Sequence, residues 1–421
     1  MRERLTTQVL WSLRFGSHRI VVPDSLTSWM ALQPATGARD LNPKQVQQNQ
    51  HLREQLATVY RHWGYDEISP PQVERLDTLM AGGAIASHDV VRLVADDPLG
   101  LRPEMTASIA RAACTRLKDR TRPLRLCACG TIFESRTAEE GGLCIEEKLH
   151  SGVELFGVKD LAAELELLTL LLEAMNALSL QEVHQPQLLL GHTALMELVL
   201  APFVQPMREE IRSCLIEYDR LGLEAMDLEA EDLARLVNLL DCRGTPKAIL
   251  DLLGESFGSQ PVLNELKRLF VHLSPLAQQQ SLALQLDPTF HPHHELYDGL
   301  VFQLVCQGVS APVVIARGGR YDGLVERCGE SEVNAGGVGF SFCLDDIRDL
   351  PGSSFENPTR ESTVLVCWSN HSSLEKALLK QTSWHAQGQM AQCDLIPCCN
   401  REEAQQRLKT SGCNTIDWLS D

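Results

Sequence analysis

The 421-residue sequence is short of positive charge: 38 Lys and Arg stand against 56 Asp and Glu, a formal net charge of −18 at pH 7. A protein that grips a polyanion presents a basic stripe, because affinity for phosphates rests on Lys and Arg. The acid excess therefore argues against a nucleic acid as main ligand. Long apolar runs are missing too. Nothing approaches the ~18 consecutive apolar residues of a membrane span, and the first residues mix Arg2, Glu3, Arg4, Arg14 and Arg19 with no secretory apolar run. The 14 cysteines are accordingly expected to be reduced thiols of a soluble, cytoplasmic protein. Paired Cys-x-x-Cys spacing is absent as well. Cys127, Cys129 and Cys144, with His291, His293 and His294, give Cys-x-Cys and His-x-His-His spacings unlike those of structural zinc sites. Cys393, Cys398 and Cys399 read as packing thiols. No metal and no cofactor is expected, and no Walker loop occurs.

What remains, 44% hydrophobic and 22% charged, is an ordinary globular composition with room for one large domain and one small one. Residues 1–31 carry little pattern beyond a short strand-like run at Arg19-Ile20-Val21-Val22. From Leu32 a turn-rich segment leads into a helix in which Val46, Leu52, Leu56, Val59, Tyr60 and Trp63 recur at helical spacing, with Gly64 placed to end it. Tyr65-Asp66-Glu67-Ile68-Ser69 then reads as a strand stopped by Pro70 and Pro71. A helix beginning near Glu104 or Met105 carries Ile109, Ala112, Ala113 and Leu117 on one face. Another, capped by Asp160, buries Leu161, Leu165, Leu168, Leu172 and Met175. A helix-rich insertion spans about 193–285, and strands return at 297–304, 313–316 and 337–342. This pattern predicts an α+β fold, an antiparallel sheet flanked by helices. Leu350-Pro351-Gly352-Ser353-Ser354 reads as a linker to a small βαβαβ domain at 362–421, which holds five Lys and Arg against six Asp and Glu.

The chemistry-bearing stretch runs from Leu101 to Gly157. Glu104 and Thr106 follow a proline-stiffened turn; Arg125 to Ser135 reads as a strand; His150 and Glu154 sit on a second strand. Two carboxylates, Glu104 and Glu154, facing one pocket suit an ammonium group. The plainer alternative is that they satisfy buried backbone or arginine groups, just as Tyr297 and Tyr321 suit core packing as well as ligand contact. In order and spacing the stretch resembles the second signature motif of class II aminoacyl-tRNA synthetases, and of these it is most similar to histidyl-tRNA synthetase. The turn, helix and strand of residues 32–71 resemble the first motif, which in that family forms a dimer interface. Arg317-Gly318-Gly319-Arg320-Tyr321-Asp322-Gly323-Leu324 is the most specific short match. The resemblance implies that Glu104, Thr106, Glu154, Tyr297, Arg320 and Tyr321 belong to a histidine pocket, with His150 where the family has Gln.

The resemblance also marks where arginines are expected. Adenylate formation needs fixed cations on phosphate oxygens. The second-motif arginine position holds Glu134, that of the histidine-specific Arg-Gly-Leu-Asp-Tyr-Tyr run holds Pro292, and that of the third motif holds Asp346. Losing one such donor typically lowers rate about 100- to 1,000-fold, so amino-acid activation is not expected and no catalytic residue is assigned. Nor is there an acidic pair leading into a Thr-Gly-rich loop of the kind that holds phosphoribosyl pyrophosphate. A synthetase-like body with a histidine pocket and an acidic tail resembles the regulatory subunits of ATP phosphoribosyltransferase. That resemblance implies a non-catalytic subunit that assembles with the short catalytic subunit, four copies of each, and activates it. It also implies feedback inhibition by histidine and no tRNA. Two alternatives remain open: an active histidyl-tRNA synthetase, and a stand-alone histidine-binding paralogue with another partner.

Overall fold

The computed structural model describes residues 33–81, 90–137, 141–180, 182–291, 296–331, 335–352 and 363–420, with the backbone of two short paired strands, Arg14–Phe15 and His18–Arg19. Pro292, His293 and His294 lie outside the described residues. The chain forms two units, Met1–Ser353 and Ser354–Asp421.

The first unit opens on helix α1, Pro43–His62. Asn42 caps it by accepting from the Gln45 amide at 3.0 Å, the Gln45 side chain accepts from the Asn42 amide in return, and Pro43 supplies the preset φ of a first turn. Gly64, at φ +78°, turns the chain after the helix. Leu52, Leu56, Val59 and Tyr60 are buried, each 6% exposed or less.

Eight strands make the central sheet: β1 Asp66–Glu67, β2 Leu124–Thr137, β3 Leu143–Phe156, β4 Gln187–His192, β5 Ala283–Leu286, β6 Leu300–Gln307, β7 Pro312–Arg320 and β8 Gly337–Cys343. Their spatial order is β1-β2-β3-β8-β7-β6-β4-β5, antiparallel throughout except at the two outermost pairs. The α+β architecture is therefore the one expected, and its boundaries are instructive where they differ. β1 is two residues long, because Pro70 and Pro71 offer no amide to extend its ladder. β7 runs on through Gly318 and Gly319, which pair with Phe340 and Gly339. β6 begins at Leu300, so Tyr297, expected on a strand, lies in the bend before it. The physical reason lies across the sheet: a Cβ on Gly319 would stand 2.6 Å from the Tyr297 ring, which therefore folds over the glycine instead of alternating along a strand.

Helix α2, Thr106–Cys114, and helix α3, Ala162–Ala177, flank the sheet. Asp160 caps α3 by accepting from the Ala162 amide at 2.9 Å. Of the expected stripe Leu165 is only half-buried, whereas Leu167, Leu170 and Leu171, outside it, are fully buried, because α3 is packed between the sheet, α1 and helix α4, Pro261–Gln279. Helix α5, Leu344–Arg348, follows β8 directly.

The second unit is a parallel three-stranded sheet of β9 Thr363–Trp368, β10 Met390–Cys393 and β11 Thr415–Leu419, ordered β10-β9-β11. Helix α6, Leu374–His385, covers Val364 and Val366, whereas helix α7, Arg401–Ser411, covers Leu365 and Cys367. Both faces of β9 are thus buried, as parallel sheets require. Cys367, Asp394 and Cys398 bring their ligand atoms within 4.8 Å of one another, but the Arg407 guanidinium already stands 2.9 Å from the Asp394 carboxylate.

Candidate functional site

One face of the sheet is almost bare at its centre. Paired residues of antiparallel neighbours share a face, as do residues two apart on one strand. The registers therefore place Glu154, Gly339 and Gly319 in one row across β3, β8 and β7, and Gly152, Ser341 and Arg317 in the next. A Cβ on Gly339 would stand 1.7 Å from the Glu154 carboxylate, and one on Gly152 would stand 2.3 Å from the Phe340 carbonyl oxygen. The missing side chains leave a cavity of about 380 Å³ over this floor.

The acidic end of the cavity is heavily hydrogen-bonded. Thr106 joins the two carboxylates: its hydroxyl donates to Glu154 Oε1 at 2.8 Å, and its amide donates to Glu104. Glu104 also accepts from the Ala107 amide at 2.9 Å, so it closes the first turn of α2. The Tyr321 hydroxyl donates to the other Glu154 oxygen, while its ring packs edge-on against Phe156 at 6.3 Å. Burial pushes the Glu154 carboxyl up to about 8, with Glu104 adding to the rise and the Thr106 and Tyr321 hydrogen bonds opposing it. Burial likewise raises Glu104, against three hydrogen bonds that lower it. Each carboxylate oxygen has a second lone pair, so both acids can still accept from an ammonium group.

His150 lines the cavity two pleat repeats along β3 from Glu154, with Nδ1 3.2 Å from the Ser341 hydroxyl; burial pushes its imidazole down to about 4. Tyr297 also lines the cavity, and burial, together with the fields of Glu154 and Glu104, raises its phenol.

The wall has a different character. Glu134 and Glu146 stand directly opposite each other on β2 and β3, an arrangement that repels unless a cation intervenes. Arg136 supplies it, 2.5 Å from Glu134 and 3.1 Å from Glu146. Burial alone would raise the Glu134 carboxyl, but Arg136, Lys148 and His150 together hold it below the usual range. Asp346, on α5, pairs with Lys148 at 3.7 Å. Its neighbour Asp345 is structural, accepting from the Leu149 amide at 2.7 Å and from buried Arg348 at 2.5 Å.

Of the residues expected at a ligand, Glu104, Thr106, His150, Glu154, Tyr297 and Tyr321 all line this cavity, and so does Glu134. Arg320 does not. The alternation of β7 turns it to the opposite face from Arg317, where its guanidinium forks onto Glu164 of α3 at 2.5 and 2.7 Å and also holds the Val158 carbonyl and Asp322 at 3.0 Å. Glu164 carried the signal: an acid in a helix this apolar requires a buried cation. Arg136 and Arg317 line the cavity without having been singled out. Strand alternation would have found Arg136, which shares a face with Glu134; Arg317 lies past the expected strand 313–316 and is set over the cavity by the register of β7 against β8.

Residues 37–347 match the sequence profile of the family described as Histidyl-tRNA synthetase. The ATP phosphoribosyltransferase regulatory subunit of Prochlorococcus marinus (strain MIT 9313) is 62% identical over 390 residues, covering 93% of this chain and 100% of that protein. The protein of the same name from Synechococcus sp. (strain WH7803) is 56% identical over 392 residues, again covering 93% and 100%. Among solved structures, the ATP phosphoribosyltransferase regulatory subunit/histidyl-tRNA synthetase from Bacillus halodurans C superposes with a TM-score of 0.75 at 24% identity, covering 93% of this chain and 98% of that one. Histidyl-tRNA synthetase from Nostoc sp. PCC 7120 gives 0.70 at 16% identity, covering 93% and 92%. No described helix is long and apolar enough to cross a membrane. With a class II synthetase-like sheet, and relatives of one name matched over nearly their whole length, this chain belongs to the ATP phosphoribosyltransferase regulatory subunit family.

Proposed function

We propose that this chain makes no product of its own. It assembles with the short catalytic subunit of ATP phosphoribosyltransferase, four copies of each, activates it, and transmits feedback inhibition by histidine in the first step of histidine biosynthesis. The observation that carries this reading is the Glu104–Thr106–Glu154–Tyr321 group at the end of an otherwise bare cavity. Its fixed carboxylates suit an α-ammonium group.

The wall supports the non-catalytic half. Where a synthetase would hold arginines over the α-phosphate of ATP, Glu134 and Asp346 bring negative charge. Two like charges at about 4 Å repel by roughly 1 to 4 kcal/mol at effective dielectrics of 80 to 20. The chain's net charge of −18 likewise speaks against a tRNA ligand. Self-association through the region of α1 and β1 belongs to the same proposal. Feedback requires that histidine favour the less active state of the assembly, with a coupling of about 1–3 kcal/mol.

The test is a phosphoribosyltransferase assay with the short catalytic subunit of the same organism, with and without this chain and with added histidine. Activity that appears only in the mixture, falls with histidine and accompanies co-elution is the expected result. An unstimulated mixture, or histidine-dependent pyrophosphate exchange by this chain alone, would overturn it in favour of an independent paralogue or an active synthetase.

A further inference from the structure

Resting on the reading of this cavity as an amino-acid site, we infer that Arg317 holds the ligand's α-carboxylate and so makes the site selective for the intact zwitterion. The cavity is lined by two guanidinium groups. Arg136 is neutralised by Glu134 and Glu146. Arg317 has no ion pair or side-chain hydrogen bond with any of the described residues, and it is exposed towards the cavity it lines. Among the described lining residues, it is therefore the cation without a counter-charge, able to take an anionic ligand group.

Its position relative to the acids suits that task. Glu154 and Arg317 are two strands apart on one face and offset by two residues along them. With strands about 4.8 Å apart and about 3.4 Å of rise per residue, their backbones stand roughly 12 Å apart. A carboxylate on a short stem and a guanidinium on a long one, pointing into the same space, reduce that to the length of a small zwitterion. The floor beneath this line is Gly152, Gly339 and Ser341, none of which fills it. Tyr297 closes one side, and His150 stands by Ser341 on the other.

The field of Arg317 reaches both walls, lowering the His150 imidazole and opposing the rise of the Tyr297 phenol. An α-amino acid laid along this line places its ammonium on Glu154 and Glu104 and its carboxylate on the guanidinium fork. Planar bidentate geometry favours Arg for such a contact, whereas Lys is a point charge. The guanidinium is thus a specificity-determining group. A ligand that keeps the ammonium and side chain but lacks the carboxylate forfeits it.

The experiment is calorimetric titration of the full chain with L-histidine and with L-histidinol, in which a hydroxymethyl group replaces the carboxylate, on wild type, Arg317→Gln and Arg317→Lys. Wild type is expected to prefer histidine by about 10- to 100-fold, the range of a charge-assisted hydrogen-bond pair. Arg317→Gln should lose that preference while its histidinol affinity stays within about threefold, which also reports a folded site, and Arg317→Lys should recover part of it. If wild type binds histidine but Arg317→Gln keeps the full preference, Arg317 is a solvated rim residue and the inference falls while the histidine reading stands. If wild type binds neither compound, the histidine reading itself fails and takes the inference with it.

Discussion

The floor and the wall of the cavity handle their carboxylates in opposite ways. On the floor, buried Glu154 and half-buried Glu104 form no ion pair among the described residues and are held by amides and hydroxyls, with the field of buried Arg102 reaching Glu104. At the wall, Glu134 lines the cavity and shares a half-exposed arginine with Glu146, while Asp346, outside the lining, pairs with Lys148. Buried carboxylates without a counter-charge are energetically costly. The wall's three carboxylates share two cations, so each already has a cation beside it within the chain while an acid excess remains.

The sharpest way to break the floor is Gly339→Ala. The new methyl falls on the Glu154 carboxylate and within 2.6 Å of the Val153 carbonyl oxygen, so histidine affinity should drop by more than about 100-fold. Overpacking should also lower unfolding free energy by about 1–3 kcal/mol in a urea titration. Unchanged binding in this variant would mean that the ligand does not approach Glu154.

Glu154→Gln separates binding from stability. Histidine affinity should fall about 10- to 100-fold, since one charged partner of the ammonium is removed. Stability should respond to pH. Glu154 titrates near 8 in the fold and near 4.3 unfolded, so the folded state holds this proton more tightly. Its favourable contribution is complete below about pH 4 and is lost as pH rises towards 8, with a slope of up to about 1.4 kcal/mol per pH unit. The glutamine variant lacks that slope, so its urea midpoint should gain on wild type between pH 6 and pH 8.5. Parallel midpoints across that range would show that Glu154 is ionised throughout.

The smallest effect is expected at the wall. The Glu134 and Arg136 side chains are 28% and 55% exposed, and pairs of that kind contribute about 0–1 kcal/mol. Joint replacement by Glu134→Gln and Arg136→Gln should move stability by less than about 1 kcal/mol and histidine affinity by less than about threefold. A loss comparable to that of Glu154→Gln would mean that wall and floor act together on the ligand.

What the sequence disclosed follows the same division. Periodicity and caps are local, so α1 with its Asn42-Pro43 start and α3 behind Asp160 were legible, as was the α+β class. Glu104, Thr106, Glu154 and Tyr321 were legible through spacing that resembles a known motif. Arg320 misled because a motif match does not say which side of a strand a residue faces; its partner Glu164 lies 156 positions away. Arg317 was overlooked for the converse reason, since only the register of β7 against β8 sets it beside Ser341 and over the cavity. Tyr297 was placed on a strand because nothing local announces that Gly319 leaves room for its ring.

The β2–β3 hairpin has a mechanical consequence. Up to Gly130 and His150 it is embedded in the eight-stranded sheet; from Thr131–Leu149 to Thr137–Leu143 its two strands ladder only with each other. Beyond the Asp345 clasp on the Leu149 amide, single bonds such as Phe133 N to Arg102 O and Ile145 N to Thr36 O moor its edges. A two-stranded ribbon is marginal by itself and bends more easily than a sheet laddered on both sides. The cavity thus has one stiff jaw bearing Glu154 and Arg317 and one compliant jaw bearing Glu134 and Arg136. On the proposed reading, a ligand held between Glu154 and Arg317 rests on the stiff jaw, and differences in its size fall on the ribbon.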